Sequence, residues 1–137
     1  MNLVSVEGSY KRRRLLTEDV VFFCIEKLMP KMKTLEIDVT LKNIKEADGY
    51  CYSITTREFD LEIDKKLSEE MFISTIAHEM VHVWQYATKQ LTQKYNKEFW
   101  KGNDYTDTPY HDVPWEKQAL LMEVDLLKQY KEYRNEK

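Results

Sequence analysis

Hydrophobic residues in the first part of the chain follow a helical pattern and then an alternating one. The hydrophobic residues from Val21 to Leu28 recur at helical spacing, Thr17 is a suitable N-terminal cap, and Pro30 ends the run. Between residues 35 and 64 the period changes to two, in three runs separated by short polar segments. The sequence therefore predicts an N-terminal helix followed by three strands, each with one solvated face.

The connections between the three runs predict how the strands pair. The runs comprise residues 35–41, 50–54 and 58–64, and Asp48-Gly49 between the first two is a typical hairpin turn. Consecutive strands with short connections form an antiparallel meander, which helices cover on its apolar face. We therefore expect a three-stranded antiparallel sheet.

The second half of the chain predicts two further helices separated by a long loop. Ser68 is a suitable cap for a helix that extends to about Gln90, and Pro114 suits the first turn of a final helix. The final helix has one core stripe, formed by Trp115, Ala119, Met122, Leu126, Tyr130 and Tyr133. Residues 91–113 are polar and rich in aromatic residues, and loops of this length are commonly functional. Together the elements predict an α+β fold.

A short motif in the second predicted helix carries the candidate chemistry. His78-Glu79-Met80-Val81-His82 matches the H-E-x-x-H zinc signature. Residues four positions apart on a helix differ by about 40° in direction, so both imidazoles can reach one Zn²⁺ ion. Glu79 is near enough to hold a water molecule of that ion without displacing it. Because the hydrophobic residues of this helix lie on its other side, we expect the histidines to face a cleft.

A catalytic zinc site typically uses three protein ligands and a water molecule, so a third ligand is required. Glu116 is the first candidate, because it follows Trp115 at the start of the final helix and can face the groove between the two helices. Glu123, two turns further along the same stripe, is the second candidate or a hydrogen-bond partner of a histidine. His111, in the preceding loop, is the third.

Two segments resemble small zincin-type metallopeptidase domains. Residues 78–85 resemble the active-site helix of SprT-like proteins and of related short phage or bacterial domains. Residues 110–119, which contain Pro114-Trp115-Glu116, are similar to the Pro-aromatic-Glu-x-x-Ala segment of gluzincin-like relatives, in which the glutamate is the third zinc ligand. The resemblance covers roughly residues 35–125. It implies a zincin-like fold and a metal site formed by His78, His82 and Glu116.

The motif and the resemblance predict a zinc-dependent peptide-bond hydrolase. Glu79 is the expected general base for a water molecule activated by zinc. Tyr110, His111 or Tyr105 from the loop is expected to stabilise the oxyanion. In such relatives an extended substrate pairs with the edge strand before the motif helix, and here we expect that strand to be Glu58–Asp64. Its alternating acidic residues favour a neutral or basic peptide.

Composition and charge narrow the classes of protein. A length of 137 residues with 42% hydrophobic and 33% charged residues suits one domain spanning residues 1–137. The longest apolar run, Val20–Ile25, is too short to span a membrane, and no signal peptide is evident, so we expect a cytoplasmic protein. Cys24 and Cys51 are expected to be unpaired. Residues 1–14, which end in four consecutive basic residues, are interpreted as a solvated basic tail.

Three alternatives to the peptidase stay open at this point. The first is a non-catalytic zinc-binding domain that interacts with a partner protein. The second is a protein that binds nucleic acid, either a DNA-associated SprT-like protease or a binder that uses Lys11–Arg14, although a net charge of −3 makes nucleic acid an unlikely partner. The third is a metal-free helical interaction module that uses the aromatic loop and the stripe of the final helix. The expected partner is a peptide or protein substrate, and the sequence does not indicate an oligomeric state.

Overall fold

Strands of the main sheet lie where hydrophobic and polar residues alternate. The computed structural model of the chain describes residues 1–135 and shows an α+β fold, as predicted. Within those residues the main sheet has four strands: β1 (Leu3–Glu7), β2 (Glu36–Lys42), β3 (Gly49–Ser53) and β4 (Glu58–Asp64). Side chains on one face, such as Ile37, Leu61 and Ile63, are fully buried, whereas the alternating acidic residues face the other side.

The main sheet is mixed, which contradicts the predicted three-stranded antiparallel meander. Its order is β1-β2-β4-β3, with β2 parallel to both β1 and β4, and with β3 antiparallel to β4. After β2 the chain crosses to the outer edge and only then returns along β4. The alternation of residues along a strand shows which face of the strand is buried, but it does not show which strands lie next to it. The pairing predicted from the pattern alone was therefore wrong.

β3 forms an edge of the sheet, and β4 lies between β3 and β2. The prediction that Glu58–Asp64 forms an edge was therefore wrong. The turn of the β3–β4 hairpin lies at residues 54–57, where the amides of Ile54 and Thr55 donate to the carbonyl of Glu58 at 2.9 and 3.2 Å. The predicted turn at Asp48-Gly49 instead leads into β3. Gly49 is needed there because a Cβ atom would lie 2.9 Å from a backbone carbonyl oxygen of β4.

The N-terminal segment belongs to the fold and is not the predicted basic tail. Helix α1 spans Lys11–Leu28 and so begins well before the predicted cap, Thr17. Thr17 is buried within the helix, where its hydroxyl donates to the carbonyl of Arg13 at 2.7 Å. The Arg13 guanidinium lies 4.5 Å over the ring of Phe72 and donates to the carbonyl of Leu67 at 3.1 Å. The prediction of a solvated tail was wrong because Arg13, one of the four basic residues, makes tertiary contacts with Phe72 and Leu67.

Two longer helices complete the main core. Helix α2 spans Glu69–Ala87 and α3 spans Pro114–Asn135. The hydroxyl of Ser68 accepts from the amide of Met71 at 3.3 Å, which confirms the predicted cap. Helix α2 packs against α1, α3, β3 and β4, and so occupies the centre of the fold. The predicted core stripe of α3 is buried at Trp115, Ala119, Leu126 and Tyr130, half-buried at Met122, and exposed at Tyr133.

Residues 91–113, predicted as a loop, contain a second and smaller sheet. This sheet is antiparallel and comprises β5 (Leu91–Lys94), β6 (Lys97–Trp100) and β7 (Asn103–Asp104), after which Tyr110–Asp112 forms a 3₁₀ turn. Tyr95 and Asn96 have φ values of 53° and 63°, as in the two-residue turns of tight hairpins. Trp100 packs against Trp115 with ring centroids 6.4 Å apart, so the segment has its own small core beside the start of α3.

Two sequence-based expectations concern properties of the whole chain. Cys24 and Cys51 are both free, as predicted. Among residues 1–135, none of the helices combines the length and the hydrophobicity that a membrane span requires.

Candidate metal centre

Three side chains from α2 and α3 meet at the candidate centre. One ligand atom each from His78, His82 and Glu116 lies within 4.8 Å of the other two. The Glu116 carboxylate bridges the histidines, with Oε1 3.0 Å from His78 Nε2 and Oε2 3.0 Å from His82 Nε2. The imidazole rings are nearly perpendicular, with centroids 4.8 Å apart. The structure therefore brings together the three residues that the sequence indicated as metal ligands.

Local sequence explains why these side chains converge. The two histidines are one helical turn apart on α2, whose apolar side packs against the sheet. Glu116 lies in the first turn of α3, directly after Trp115. The indole of Trp115 is buried beside the ring of Trp100, and α3 packs along α2. This anchor directs the neighbouring carboxylate into the groove between the helices.

Glu123 holds the other nitrogen of His78. Its Oε1 atom lies 2.9 Å from His78 Nδ1, and the hydroxyl of Ser74 donates to its Oε2 atom at 2.7 Å. Glu123 is thus a hydrogen-bond partner of a histidine, which is the second of its two expected roles. A partner of this kind fixes the orientation of a ligand imidazole.

Gln85 is the partner of His82, a role that was not predicted from the sequence. Its side-chain oxygen lies 2.7 Å from His82 Nδ1. Its amide nitrogen donates to the carbonyl of Trp115 at 3.0 Å and to the side-chain oxygen of Gln118 at 2.8 Å. A spacing of three residues after His82 places Gln85 on the same side of the helix, which is the signal that could have identified it.

Opposite charges in the cluster shift the pKa values of its members. Burial alone lowers the pKa of His78, but hydrogen bonds to Glu116 and Glu123 outweigh burial and raise it to about 10. Burial alone raises the pKa of Glu116, whereas its hydrogen bonds to His78 and His82 hold it well below the usual range. In the absence of a metal, the cluster therefore binds a proton between its carboxylates, and it is suited to hold a cation.

Glu79 lies beside the three candidate ligands but is not one of them. Its side chain is 6% exposed and lines the cavity in front of the histidines. Burial raises the pKa of the Glu79 carboxyl, and the nearby imidazoles of His82 and His78 oppose that shift. A buried carboxyl group with a raised pKa is typical of groups that transfer protons at neutral pH.

The three candidate ligands face a cavity of about 710 Å³. Its walls come from α2, the start of α3, β3 and the segment before β3, and from Tyr110. The Tyr110 hydroxyl donates to Glu116 Oε1 at 3.0 Å. His111 is exposed, with its ring packed edge-on against Tyr110, and Tyr105 packs edge-on against Trp115. Of the three predicted oxyanion donors, the structure thus places Tyr110 against a ligand.

The donor set fits a metal ion. Two imidazole nitrogens with one carboxylate form a set that binds zinc, iron, copper or nickel ions in proteins. Each imidazole has an acceptor at Nδ1, so a neutral ring can direct the lone pair of Nε2 towards the metal position. The cluster could therefore hold a metal ion without rearrangement of either helix. Comparisons with protein-family models, with curated proteins and with solved structures found no match to this chain.

Proposed function

We propose that this chain is a zinc-dependent peptide-bond hydrolase with a zincin-like fold. The observation that carries the proposal is the cluster of His78, His82 and Glu116 with the buried carboxyl group of Glu79 beside it at the wall of a cavity. Two histidines and one glutamate are a ligand set of catalytic zinc sites, which keep a fourth position for water or substrate. A structural zinc site has no need of Glu79.

Glu79 is the proposed general base. His78, His82 and Glu116 would hold a zinc ion, which would supply a Lewis acid and lower the pKa of a water molecule to about 7. Glu79 accepts the proton of the attacking water and passes it to the leaving amine. Its raised pKa suits both steps, because a carboxyl group that titrates closer to neutral pH can take up a proton and release it again.

Tyr110 is the proposed donor to the oxyanion. Burial and the negative charge of Glu116 raise the pKa of the Tyr110 phenol, so the group stays protonated at neutral pH. A protonated phenol at the wall of the cavity can donate a hydrogen bond to an oxygen that gains negative charge. Tyr110 is therefore preferred over His111 and Tyr105, the other two residues considered for this role.

The proposed substrate is an extended peptide that pairs with β3. This strand is an edge of the main sheet, and Gly49, Tyr50 and Cys51 within it line the cavity. An extended peptide can add to such an edge through main-chain hydrogen bonds. Glu46 and Asp48 lie just before the strand and also line the cavity, and no Lys or Arg of residues 1–135 lines it. The proposed enzyme thus favours neutral or basic peptides.

Glu79→Gln tests the proposal. The wild-type protein loaded with zinc should contain one ion per chain and cleave unstructured peptides, basic ones faster than acidic ones. The Glu79→Gln variant should retain the ion, because Glu79 is not a ligand, and its kcat should fall by about 10²–10⁴-fold. Metal analysis and peptide cleavage followed by mass spectrometry measure the two quantities.

His82→Ala is the matched control for metal binding, because it removes a ligand from the same helix face. It should lose both zinc and cleavage. Zinc retained after His78→Ala and His82→Ala together would reject the metal centre. A wild-type protein that binds zinc but cleaves none of the peptides would instead favour the non-catalytic zinc-binding domain.

A further inference from the structure

We propose that Gln85 is a positioning residue: its amide selects the tautomer of His82 that can bind a metal, and it ties this ligand to the start of α3. The inference rests on the metal centre proposed above and adds a residue outside the H-E-x-x-H motif to it. Gln85 touches neither the proposed zinc position nor the substrate. Its effect is exerted through His82.

The hydrogen bonds of the Gln85 amide are made entirely inside the protein. The side chain is 0% exposed. Its oxygen lies 2.7 Å from His82 Nδ1, and its nitrogen lies 3.0 Å from the carbonyl of Trp115 and 2.8 Å from the side-chain oxygen of Gln118. A buried amide group that faces a wrongly oriented partner makes no hydrogen bond, and its desolvation cost is then not compensated. The structure therefore strongly favours one assignment of donors and acceptors along these hydrogen bonds.

The carbonyl of Trp115 decides which way the amide points. A backbone carbonyl accepts hydrogen bonds and cannot donate them, so the atom of Gln85 that faces it must be the NH₂ group. Gln118 does not decide the orientation, because its own amide can rotate by 180° to suit its neighbour. The oxygen of Gln85 must then face His82, and the Nδ1 atom of His82 must carry a proton to donate to it.

The assigned proton has a direct consequence for metal binding. A neutral imidazole carries one proton, so an Nδ1–H group leaves the lone pair on Nε2. That nitrogen lies 3.0 Å from Glu116 Oε2, with which it shares a hydrogen bond in the metal-free protein, and a metal ion bound there would take the place of the shared proton. The other tautomer would direct an N–H group at the metal position and a lone pair at the oxygen of Gln85. The first arrangement is prepared for a metal, and the second opposes one.

The same amide connects two ligands that come from different helices. Gln85 lies on α2 with His82, and Trp115 immediately precedes Glu116 on α3. His78 is held differently, by the carboxylate of Glu123. A neutral partner at His82 provides an acceptor without adding another negative charge to the three carboxylates, Glu79, Glu116 and Glu123, that line the cavity beside the histidines.

The tautomer of His82 is the direct test and needs no variant. Nitrogen-15 NMR of the zinc-loaded wild-type protein, labelled at histidine, distinguishes a ring that binds zinc through Nε2 and keeps Nδ1–H from a ring that binds zinc through Nδ1 and keeps Nε2–H. His82 should bind zinc through Nε2 and keep its proton on Nδ1, opposite the oxygen of Gln85. A dominant Nε2–H form would overturn the proposal.

Substitution of Gln85 tests its effect on the metal. Gln85→Leu keeps the size but removes the acceptor, so His82 should lose its fixed tautomer and zinc affinity should fall by about 10–100-fold. Gln85→Glu keeps an oxygen opposite Nδ1, so it should restore the Nδ1–H form and recover affinity relative to the leucine variant. Gln90→Leu is the same substitution outside the metal centre, and it should leave the zinc affinity and the tautomer of His82 as in the wild type.

Competition with a chromophoric zinc chelator measures the affinity, and circular dichroism with thermal unfolding checks that each variant folds. A leucine variant that folds, binds zinc as tightly as the wild type and keeps the Nδ1–H form would overturn the proposal. If the leucine variant does not fold, the tautomer of the wild type and the properties of Gln85→Glu still decide it. Failure of the wild type to bind zinc would reject the proposed function, whereas an Nε2–H tautomer with zinc binding intact would reject only the role of Gln85.

Discussion

Individual side chains at the centre differ in role because they meet different imidazole nitrogens. Glu116 and Glu123 are both glutamates of α3 on the side that faces α2. Glu116 contacts Nε2 of both His78 and His82, whereas Glu123 contacts Nδ1 of His78 alone. For a metal bound at Nε2, a group at Nδ1 orients the ring and does not reach the ion. The two carboxylates should therefore respond differently to substitution.

Separate Glu116→Ala and Glu123→Ala variants test this difference. Glu116→Ala removes a ligand, so stoichiometric zinc binding should be lost. Glu123→Ala removes a partner of His78, so the variant should still bind one zinc ion, with affinity lowered by about 10–100-fold. Isothermal titration with zinc measures both. A greater loss of affinity in the Glu123 variant would exchange the two assignments.

Much of the centre was predictable from residue spacing, and part of it was not. The positions of His78, Glu79 and His82 follow from helical geometry, and α3 begins at the predicted proline, which places Glu116 in its first turn. The choice of Glu116 over Glu123 and His111 depends on how α3 lies against α2. The role of Gln85 depends on a carbonyl of the other helix, which no local pattern reveals.

At the scale of secondary structure elements, β1 and its connection to α1 separate the observed fold from the predicted one. β1 pairs in parallel with β2, and α1 returns the chain between them. Gly8 directly follows β1 with a φ value of 92°, and a Cβ atom there would overlap the carbonyl oxygen of Leu41. This connection thus demands glycine for both its backbone conformation and its close contact.

Gly8→Ala should destabilise the protein more than Gly102→Ala. Both glycines have positive φ values, 92° and 87°, but a Cβ atom at Gly102 meets no atom within 4 Å. The shared backbone strain costs about 1–3 kcal/mol in each variant, and the clash with β2 adds to it only at Gly8. Urea denaturation measures the free energy of unfolding, and equal losses in the two variants would contradict the assigned contact.

The elements themselves were easier to predict than their arrangement. Periodicity located β2, β4, α2 and α3 within a few residues, because it reports which side of an element is buried. The exposed, charged start of α1 lacks the hydrophobic periodicity that would identify it, and β1 is a short strand with half-buried rather than buried side chains. The helix was therefore predicted to start too late, and the strand was missed.

At the scale of the whole molecule, the proposed metal joins two helices that also share a packed interface. His78 and His82 belong to α2, which packs against α1, α3, β3 and β4, and Glu116 belongs to α3. Three glutamates, Glu79, Glu116 and Glu123, lie beside the histidines in the same cavity, and without a metal the protonated imidazole of His78 offsets part of their charge. A metal bound only by the folded protein should stabilise the packing of α3 on α2.

Zinc should therefore raise the melting temperature, and a chelator should lower it. A ligand at about 1,000 times its Kd adds about 4 kcal/mol to the free energy of unfolding when it binds only the folded state. Differential scanning calorimetry with and without zinc measures the shift. Glu79→Gln should show the same shift as the wild type, and His82→Ala should show none. A shift that persists in His82→Ala would place the stabilising ion elsewhere.

The sequence by itself determined the features that depend on residues close together in the chain. These are the α+β mixture, the cap of α2, the proline at the start of α3 and the pair of histidines one turn apart, since helical and extended geometry act over a few residues. Only the tertiary structure decided the parallel pairing of β2, the edge position of β3, the meeting of Glu116 with both histidines and the contact of Gln85 with Trp115. Each of these joins residues distant in the chain, and long-range packing rather than local preference selects such contacts.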